Sequence, residues 1–371
     1  MAKRRRFNKR LFALYMLIFF LPGIELGLRI LGFRPYEITP YTIQSEPAFC
    51  LIPHPQLGFG LQPGSFDISV NQGPGFKARH GADSLRITPP DTLPEAQPEI
   101  WMMGCSYTYG MGVGEAQTFT ALLQQKFPHY RFRNFGVPGY GTVQSYLQLK
   151  KSLAEGEKPA LVVLNYADFH PSRNVLSPPY RKALFMGFQT SNEAVSQYAY
   201  RSRIPYVDPL AEGLEIRAEK WEHLYQNWPG RHYFSLINLG QDVSDYFREG
   251  RMRPREKSLD LILEMQALCQ EAEIPFVVSL LTEHETNETL LTQLGQQGIF
   301  MVDMALDLRE PGLNMLPYDA HPSARAHALY AAALSEAFHS GPLQLRALFG
   351  TDTLRGIGTS RFDGLDTDGQ E

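Results

Sequence analysis

Three side chains in this sequence have the types needed to open an ester. Ser106 supplies a hydroxyl, His321 an imidazole, and Asp319 a carboxylate two residues before the histidine. Ester cleavage needs a nucleophile, a base that takes its proton, and donors for the oxygen that turns negative. Ser106 fits the first role and His321 the second. Asp319 can hold the imidazole and stabilise its charged form. Its backbone carbonyl could do the same. A plainer reading stands beside each of these. A serine after a strand often caps a helix, and Asp319-Ala-His321-Pro322 could be a capping turn. The wide separation of Ser106 from His321 favours catalysis, because triads are assembled from distant parts of a chain.

The surroundings of Ser106 support that role. An apolar run, 100–103, stops at Gly104, and Ser106 follows at once. Open α/β sheets bind ligands at the carboxyl ends of their strands. Amides at a helix start face outward there and favour negative charge. The N–H of Ser106 is one candidate oxyanion donor. Gly139 or Gly141 could give a second, since glycine lets the backbone come close; Gly136 is less suited. Asn165 or Asn174 could add a side-chain amide. Asp168, His170 and Arg173 form a polar cluster just past Asn165. That cluster either shapes the substrate site or holds a neighbouring segment by salt bridges.

These residues need a frame, and the hydrophobic pattern provides one. Strand 99–104, helix 116–127, strand 130–137, helix 142–154 and strand 160–166 follow in turn. The alternation resumes with helix 258–273, strand 274–281, a short helix near Leu290, strand 299–304 and helix 322–338. Strands alternating with helices of this length build βαβ units. The expected fold class is therefore α/β, a five-stranded parallel sheet with helices on both faces. Residues 34–97 carry many Pro and Gly and short alternating runs such as 66–70, and read as a β-rich preface. Residues 175–257 break the alternation with Trp221, Trp228 and many tyrosines. This aromatic-rich insertion either lies over the sheet's C-terminal edge, where rings could stack on sugars or form a lid, or is a small satellite core. Residues 342–371 read as a polar tail without fixed structure.

The pattern resembles the SGNH (GDSL-like) hydrolase superfamily, in its bacterial membrane-anchored form. Its first block appears as Gly104-Cys105-Ser106. Its second appears as Asn134-Phe-Gly136-Val-Pro-Gly139-Tyr-Gly141-Thr142, and its last as Asp319-Ala-His321-Pro322. The resemblance spans roughly residues 96–340 and makes 98–341 the hydrolase-like domain. It implies a flavodoxin-like strand order, 2-1-3-4-5, and an acyl-serine on Ser106. The family's third block is Gly-x-Asn-Asp after the third strand. Here Ala167 stands where the amide donor would be. The α/β-hydrolase fold fits less well. Its elbow is Gly-x-Ser-x-Gly, whereas Thr108 occupies the last position here, and its acid and histidine lie on separate loops.

Composition narrows the partners. Of 371 residues, 43% are hydrophobic and 20% charged, which describes an ordinary globular chain with a full core. A formal charge of −4 argues against nucleic acid. Cys50, Cys105 and Cys269 are too few and too uneven for a disulfide framework. His54 and His80 have no second ligand at metal spacing, so no metal or other cofactor is expected. The N-terminus is unusual. Lys3, Arg4, Arg5, Arg6, Lys9 and Arg10 precede the apolar run 11–22. Apolar character then resumes through Ile24, Leu26, Leu28, Ile30 and Leu31, broken by Glu25 and Arg29. No Ala-x-Ala cleavage pattern follows. At about 1.5 Å per residue, 11–33 is long enough to span a bilayer. Residues 1–33 thus read as an uncleaved signal anchor through which the chain meets the membrane, with the domain outside the cytoplasm, in the periplasm. A cleaved signal peptide is the alternative. The expected activity is that of a serine esterase or deacetylase acting on acyl esters, foremost acetyl, with carbohydrate as a candidate carrier. An acyltransferase passing the acyl group to a polysaccharide would use the same serine. A catalytically silent glycan-binding protein is the reading from a different class.

Overall fold

The computed structural model describes residues 12, 15, 19–38, 41–90, 97–189, 201–285, 287–342, 345 and 348. The tail expected beyond 348, the basic N-terminus and part of the insertion lie outside them. The chain runs through α1 (Leu21–Ile30), β1 (Ile43–Glu46), β2 (Leu51–His54), β3 (Gly58–Leu61), β4 (Gly64–Val70) and β5 (Phe76–His80). It continues with β6 (Glu99–Met103), α2 (Ser106–Tyr109), α3 (Phe119–Lys126), β7 (Arg131–Asn134), α4 (Thr142–Ala154) and β8 (Leu161–Tyr166). Then come α5 (His170–Asn174), α6 (Pro178–Gln189), β9 (Arg203–Val207), β10 (Ile216–Lys220) and α7 (Ser235–Arg251). Last are α8 (Pro254–Glu271), β11 (Phe276–Thr282), α9 (Asn287–Gln296), β12 (Phe300–Leu306), β13 (Asn314–Met315), β14 (Asp319–Pro322) and α10 (Ala324–Ser340).

The central sheet has five parallel strands in the order β12-β11-β8-β6-β7, which is the expected 2-1-3-4-5. A parallel sheet is covered on both faces, so its strands read as near-continuous apolar runs. β8 is buried at every position, and β6 at all but its first residue. Successive residues serve opposite faces. Trp101, Met103, Val162 and Leu164 pack with Val143 and Leu149 of α4 and Leu261 and Met265 of α8. Ile100, Met102 and Val163 pack with Phe119 and Leu123 of α3 and Tyr330 and Leu334 of α10. The helices thus lie on both faces, as the sequence implied.

The preface forms an antiparallel sheet, β1-β4-β5, and a hairpin, β2-β3. Its Phe59, Leu61, Phe66 and Ile68 share a third apolar cluster with Tyr109, Tyr140, Tyr180, Ile204 and Trp221. Preface and insertion therefore meet beside the end of α2.

Two expected elements start differently. The helix expected over 116–127 is a 3₁₀ turn at Glu115–Gln117 followed by α3. Thr118 divides them, because its Oγ1 accepts from Ala121 N–H at 3.2 Å and caps the new helix. The helix expected from 322 begins at Ala324, after Ser323 caps it at 3.3 Å, and Pro322 belongs to β14.

The N-terminal segment also differs from the expectation. Among the described residues no helix is long and apolar enough to cross a membrane. The described part of the apolar stretch includes α1, which packs on α7. Glu25 accepts hydrogen bonds from Ser235 N–H at 2.8 Å and Leu236 N–H at 2.9 Å. Arg29 donates to Tyr233 O at 2.7 Å and to Glu25 at 2.7 Å. The two charges that interrupt the apolar run thus cap the first turn of α7, where a carboxylate is favoured.

Two histidines of this frame are buried and neutral. His80 lies between Gln62 O at 2.8 Å and Tyr109 Oη at 3.0 Å, and burial lowers its pKa to about 4. His327 Nδ1 accepts from Phe119 N–H at 3.2 Å. Burial, with the charges of Arg86 and His321 adding to it, lowers its pKa to about 3. The unfolded chain binds these protons below its ordinary histidine pKa of about 6.5, whereas the folded chain refuses them. The stability they protect is complete above that pH and falls as pH drops towards 4 and then 3. Thermal melts recorded between pH 7 and pH 3.5 should show the midpoint falling through this window. His327→Asn, which leaves an acceptor near Phe119 N–H, should melt lower at pH 7 and show a shallower fall. A parallel fall in both proteins would show that His327 contributes nothing to the acid limb.

Candidate active site

Ser106 is the first residue of α2, at the carboxyl end of β6, and is 3% exposed. The helix is only four residues long, so its position is set from outside. Arg86, just past the preface strands, is 2% exposed. Its Nη1 donates to Gly110 O at 2.7 Å and Tyr109 O at 2.5 Å, and its Nη2 to Val113 O at 2.8 Å. A cation at the carbonyl end of α2 complements the helix dipole and satisfies groups the helix leaves unpaired. On the other side, Asn134 Nδ2 donates to Thr108 O at 2.9 Å, while its Oδ1 accepts from Gly136 N–H at 3.0 Å. Gly136 is squeezed against the same helix. A Cβ there would lie 2.8 Å from Thr108 C and 2.9 Å from Cys105 O, and closer still to Tyr109 N.

His321 and Asp319 stand on β14, which pairs with β13 in a short antiparallel hairpin; the sequence had suggested a loop. His321 Nδ1 is 2.6 Å from Asp319 Oδ2. A carboxylate only accepts, so Nδ1 carries the proton and Nε2 is left as the base. The side chain, not the backbone carbonyl, therefore orients the ring. Asp319 is 8% exposed, and Tyr41 Oη donates to its Oδ1 at 3.3 Å. Tyr107, next to Ser106, stands edge-on to the His321 ring with centroids 5.4 Å apart. No hydrogen bond joins Ser106 to His321 directly among the described residues; such contacts often tighten only with substrate present.

The oxyanion candidates separate sharply. The amide of Ser106, at the first position of α2, has no intrahelical partner. Gly139 has φ +88°, and its N–H makes no hydrogen bond among the described residues. The Tyr180 hydroxyl donates to Gly139 O and fixes that turn. Gly141 is corrected: its N–H donates to Gln144 Oε1 at 2.8 Å, closing the first turn of α4. Asn165 is corrected as well. Its Nδ2 donates to Met103 O at 3.0 Å and its Oδ1 accepts from Ser279 Oγ at 2.8 Å. It links three neighbouring strands and has no donor to aim at a substrate. Asn174 is spent likewise, on Val143 N–H at 3.0 Å and Ser258 Oγ at 2.7 Å. Ala167 is fully buried in the apolar cluster that α3 and α10 cover.

The other sequence candidates fall into place around this centre. His170 is fully buried, set between Tyr166 and Phe169, and burial holds its pKa well below the usual value. Asp168 and Arg173 form no ion pair with each other among the described residues; Arg173 Nη1 donates to Tyr140 O at 2.7 Å. Trp221 is buried in the cluster shared with the preface, whereas Trp228 is 43% and Tyr233 74% exposed. The insertion is thus partly a satellite core and partly an exposed aromatic surface. Cys50, Cys105 and Cys269 are all free and buried. Among the described residues no cluster of His, Cys, Asp and Glu could hold a metal ion.

No family model matches the chain, and no curated protein does. Solved structures do match. A putative lipolytic protein of the G-D-S-L family from Desulfitobacterium hafniense is 14% identical, with a TM-score of 0.37, over 65% of this chain and 99% of that one. A member of the same family from Veillonella parvula is 12% identical, with a TM-score of 0.36, over 66% and 99%. The psychrotrophic esterase EstA from Pseudoalteromonas sp., in a structure inhibited by monoethylphosphonate, is 12% identical with a TM-score of 0.33, over 65% and 96%.

The contact at Gly136 gives a test of how α2 is held. Gly136→Ala forces a methyl into backbone that cannot swing aside, at a cost of about 1–3 kcal/mol. Its melting temperature should fall, and Ser106 should react more slowly with a fluorophosphonate. Gly295→Ala, where a Cβ would meet nothing within 4 Å, is the control and should melt at or above the parent. Equal labelling rates in the parent and Gly136→Ala would mean that this contact does not position Ser106.

Proposed function

We propose that this chain is a serine ester hydrolase working through Ser106, His321 and Asp319. The observation that carries it is the buried Asp319 carboxylate fixed on His321 Nδ1 at 2.6 Å, on a strand packed beside the helix that Ser106 begins. In the reaction His321 Nε2 takes the Ser106 proton as Oγ bonds to the acyl carbon. The carbonyl electron pair moves onto oxygen, facing the amides of Ser106 and Gly139. Collapse breaks the bond to the alcohol, which leaves with the proton from His321. Water, activated by the same nitrogen, then releases the acyl group. Asp319 stays ionised and stabilises the imidazolium.

The finer reading is an esterase that removes acetyl groups from glycans outside the cytoplasm. The basic cluster and apolar run at the N-terminus support a membrane tether. So do the exposed Phe19, Phe20, Leu26 and Ile30 next to it. Exposed Trp228, Tyr233 and Tyr246 in the insertion support a sugar ligand, since aromatic faces suit sugar rings. If a sugar hydroxyl reaches the acyl-serine before water, the same site is a polysaccharide acyltransferase.

Fluorophosphonate labelling and acetyl-ester turnover test the chemistry. Ser106→Ala should abolish labelling, and Ser106→Ala and His321→Ala should each lower turnover by about 10⁴ or more, because such groups act as a unit. Asp319→Asn should cost about 10³–10⁴, because an amide favours the wrong imidazole tautomer. Parent-like turnover in Ser106→Ala would leave a glycan-binding protein as the better reading. The location is tested separately. In fractionated cells the full-length chain should sit in the membrane, digestible only from the outer side. Recovery of a soluble chain starting near Pro35 would replace the tether with a cleaved signal.

A further inference from the structure

The amides of Ser106 and Gly139 make two oxyanion donors, and the neutral side chains that might have made a third are spent on the fold. A cation stands beside the same turn. Arg173 lies on α5 and is half-buried. It packs directly against the 139–141 turn: a Cβ on Gly141 would lie 2.9 Å from Arg173 Cβ. Its guanidinium sits 4.1 Å from the centroid of Phe169 and 5.5 Å from that of Tyr180, whose hydroxyl holds Gly139 O. Phe169 stands edge-on to Tyr107 at 5.3 Å, and Tyr107 to His321 at 5.4 Å. Arg173 therefore belongs to the ring of side chains around Ser106.

This guanidinium is largely uncommitted. It has five N–H donors, and one hydrogen bond, from Nη1 to Tyr140 O, holds it. Among the described residues no carboxylate pairs with it. Half-burying a cation without a partner is costly, which fits a group kept for charge that appears only during a reaction. Its field reaches the site: burial pushes the Cys105 thiol up, and Arg173 is the largest influence opposing that rise. Cys105 immediately precedes Ser106.

We propose that an N–H of the Arg173 guanidinium is the third oxyanion donor, joining the amides of Ser106 and Gly139 on the former carbonyl oxygen of the acyl ester. The inference rests on the ester-hydrolase reading above. In the attack the Oγ–carbon bond forms, the carbonyl π pair moves to oxygen, and the serine proton passes to His321. Arg173 transfers nothing; it is a charged donor where negative charge develops. Charge-assisted hydrogen bonds are roughly twice as strong as neutral ones, so one guanidinium N–H can stand in for an amide. Because the charge is absent in the ground state, the effect falls on kcat rather than KM.

The test uses the full chain, with p-nitrophenyl acetate as a neutral ester and p-nitrophenyl hemisuccinate as an anionic one. Arg173→Met should lower kcat by about 10²–10³ on both esters, the usual loss for one oxyanion donor. KM should stay within about twofold of the parent, since ground-state binding is untouched. Arg173→Ala should regain part of its rate when guanidinium ion is added, and methylammonium should restore less. Arg173→Lys keeps the stem and charge but not the fork. It should fold even if Arg173→Met does not, and should lose at least about tenfold in kcat. Parent-like kcat in Arg173→Met or Arg173→Lys overturns the proposal. So does a loss confined to KM for the hemisuccinate, which would make Arg173 a pocket for substrate charge. Parent-like turnover in Ser106→Ala marks a different failure, that of the hydrolase reading itself.

Discussion

The helix that begins with Ser106 cannot hold itself. Four residues do not make a stable helix in water, and nucleation alone is unfavourable. What holds it is the buried Arg86 guanidinium on the carbonyls of Tyr109, Gly110 and Val113. Burying an arginine is expensive. Three carbonyls at a helix end, with the Tyr109 ring 4.5 Å beneath, offset that cost. Two further devices complete the clamp: Asn134 bonds Thr108 O, and Gly136 gives α2 room to lie against the second turn.

Arg86 follows β5, so the preface is part of the site's construction. The same is true on the histidine side, where Tyr41, just before β1, donates to Asp319 Oδ1 at 3.3 Å. His80 of β5 bonds Tyr109, the last residue of α2. The sheet supplies the edge on which Ser106 sits, and the preface fixes both partners of the chemistry from above that edge. Removing 34–97 would strip α2 of its cation and Asp319 of its second hydrogen bond.

The sheet was readable because its physics is local. Runs such as 161–166 must be apolar throughout when both faces are covered, and glycine or polar breaks mark their ends. The candidate nucleophile, base and acid were readable from residue type and position relative to those ends. The roles of Gly141 and Asn165 were not. Asn165 looks like a donor at a strand end, but its partners, Met103 O and Ser279, come from two other strands. Gly141 looks like a free amide, but a glutamine three residues on takes it. Arg86 gave no signal, since a lone arginine between Leu85 and Ile87 usually points to solvent. Glu25 and Arg29 looked like blemishes in an apolar run because α7, which they cap, lies more than two hundred residues away.

The two-residue spacing of Asp319 and His321 has its own physical account. In a strand, residues i and i+2 project from the same face. β14 buries Asp319, exposes Ala320 and half-buries His321, the alternation that a strand imposes. A helix or an unpaired turn would not hold the carboxylate and the ring on one side so rigidly. The hairpin with β13 supplies the missing constraint, and Ser323 Oγ, bonded to Gly312 O at 2.6 Å, closes its far end before α10 starts. The acid and the base can therefore be near neighbours in sequence without a separate loop to bring them together. The register of one short hairpin decides whether His321 Nε2 is presented to Ser106 or turned away.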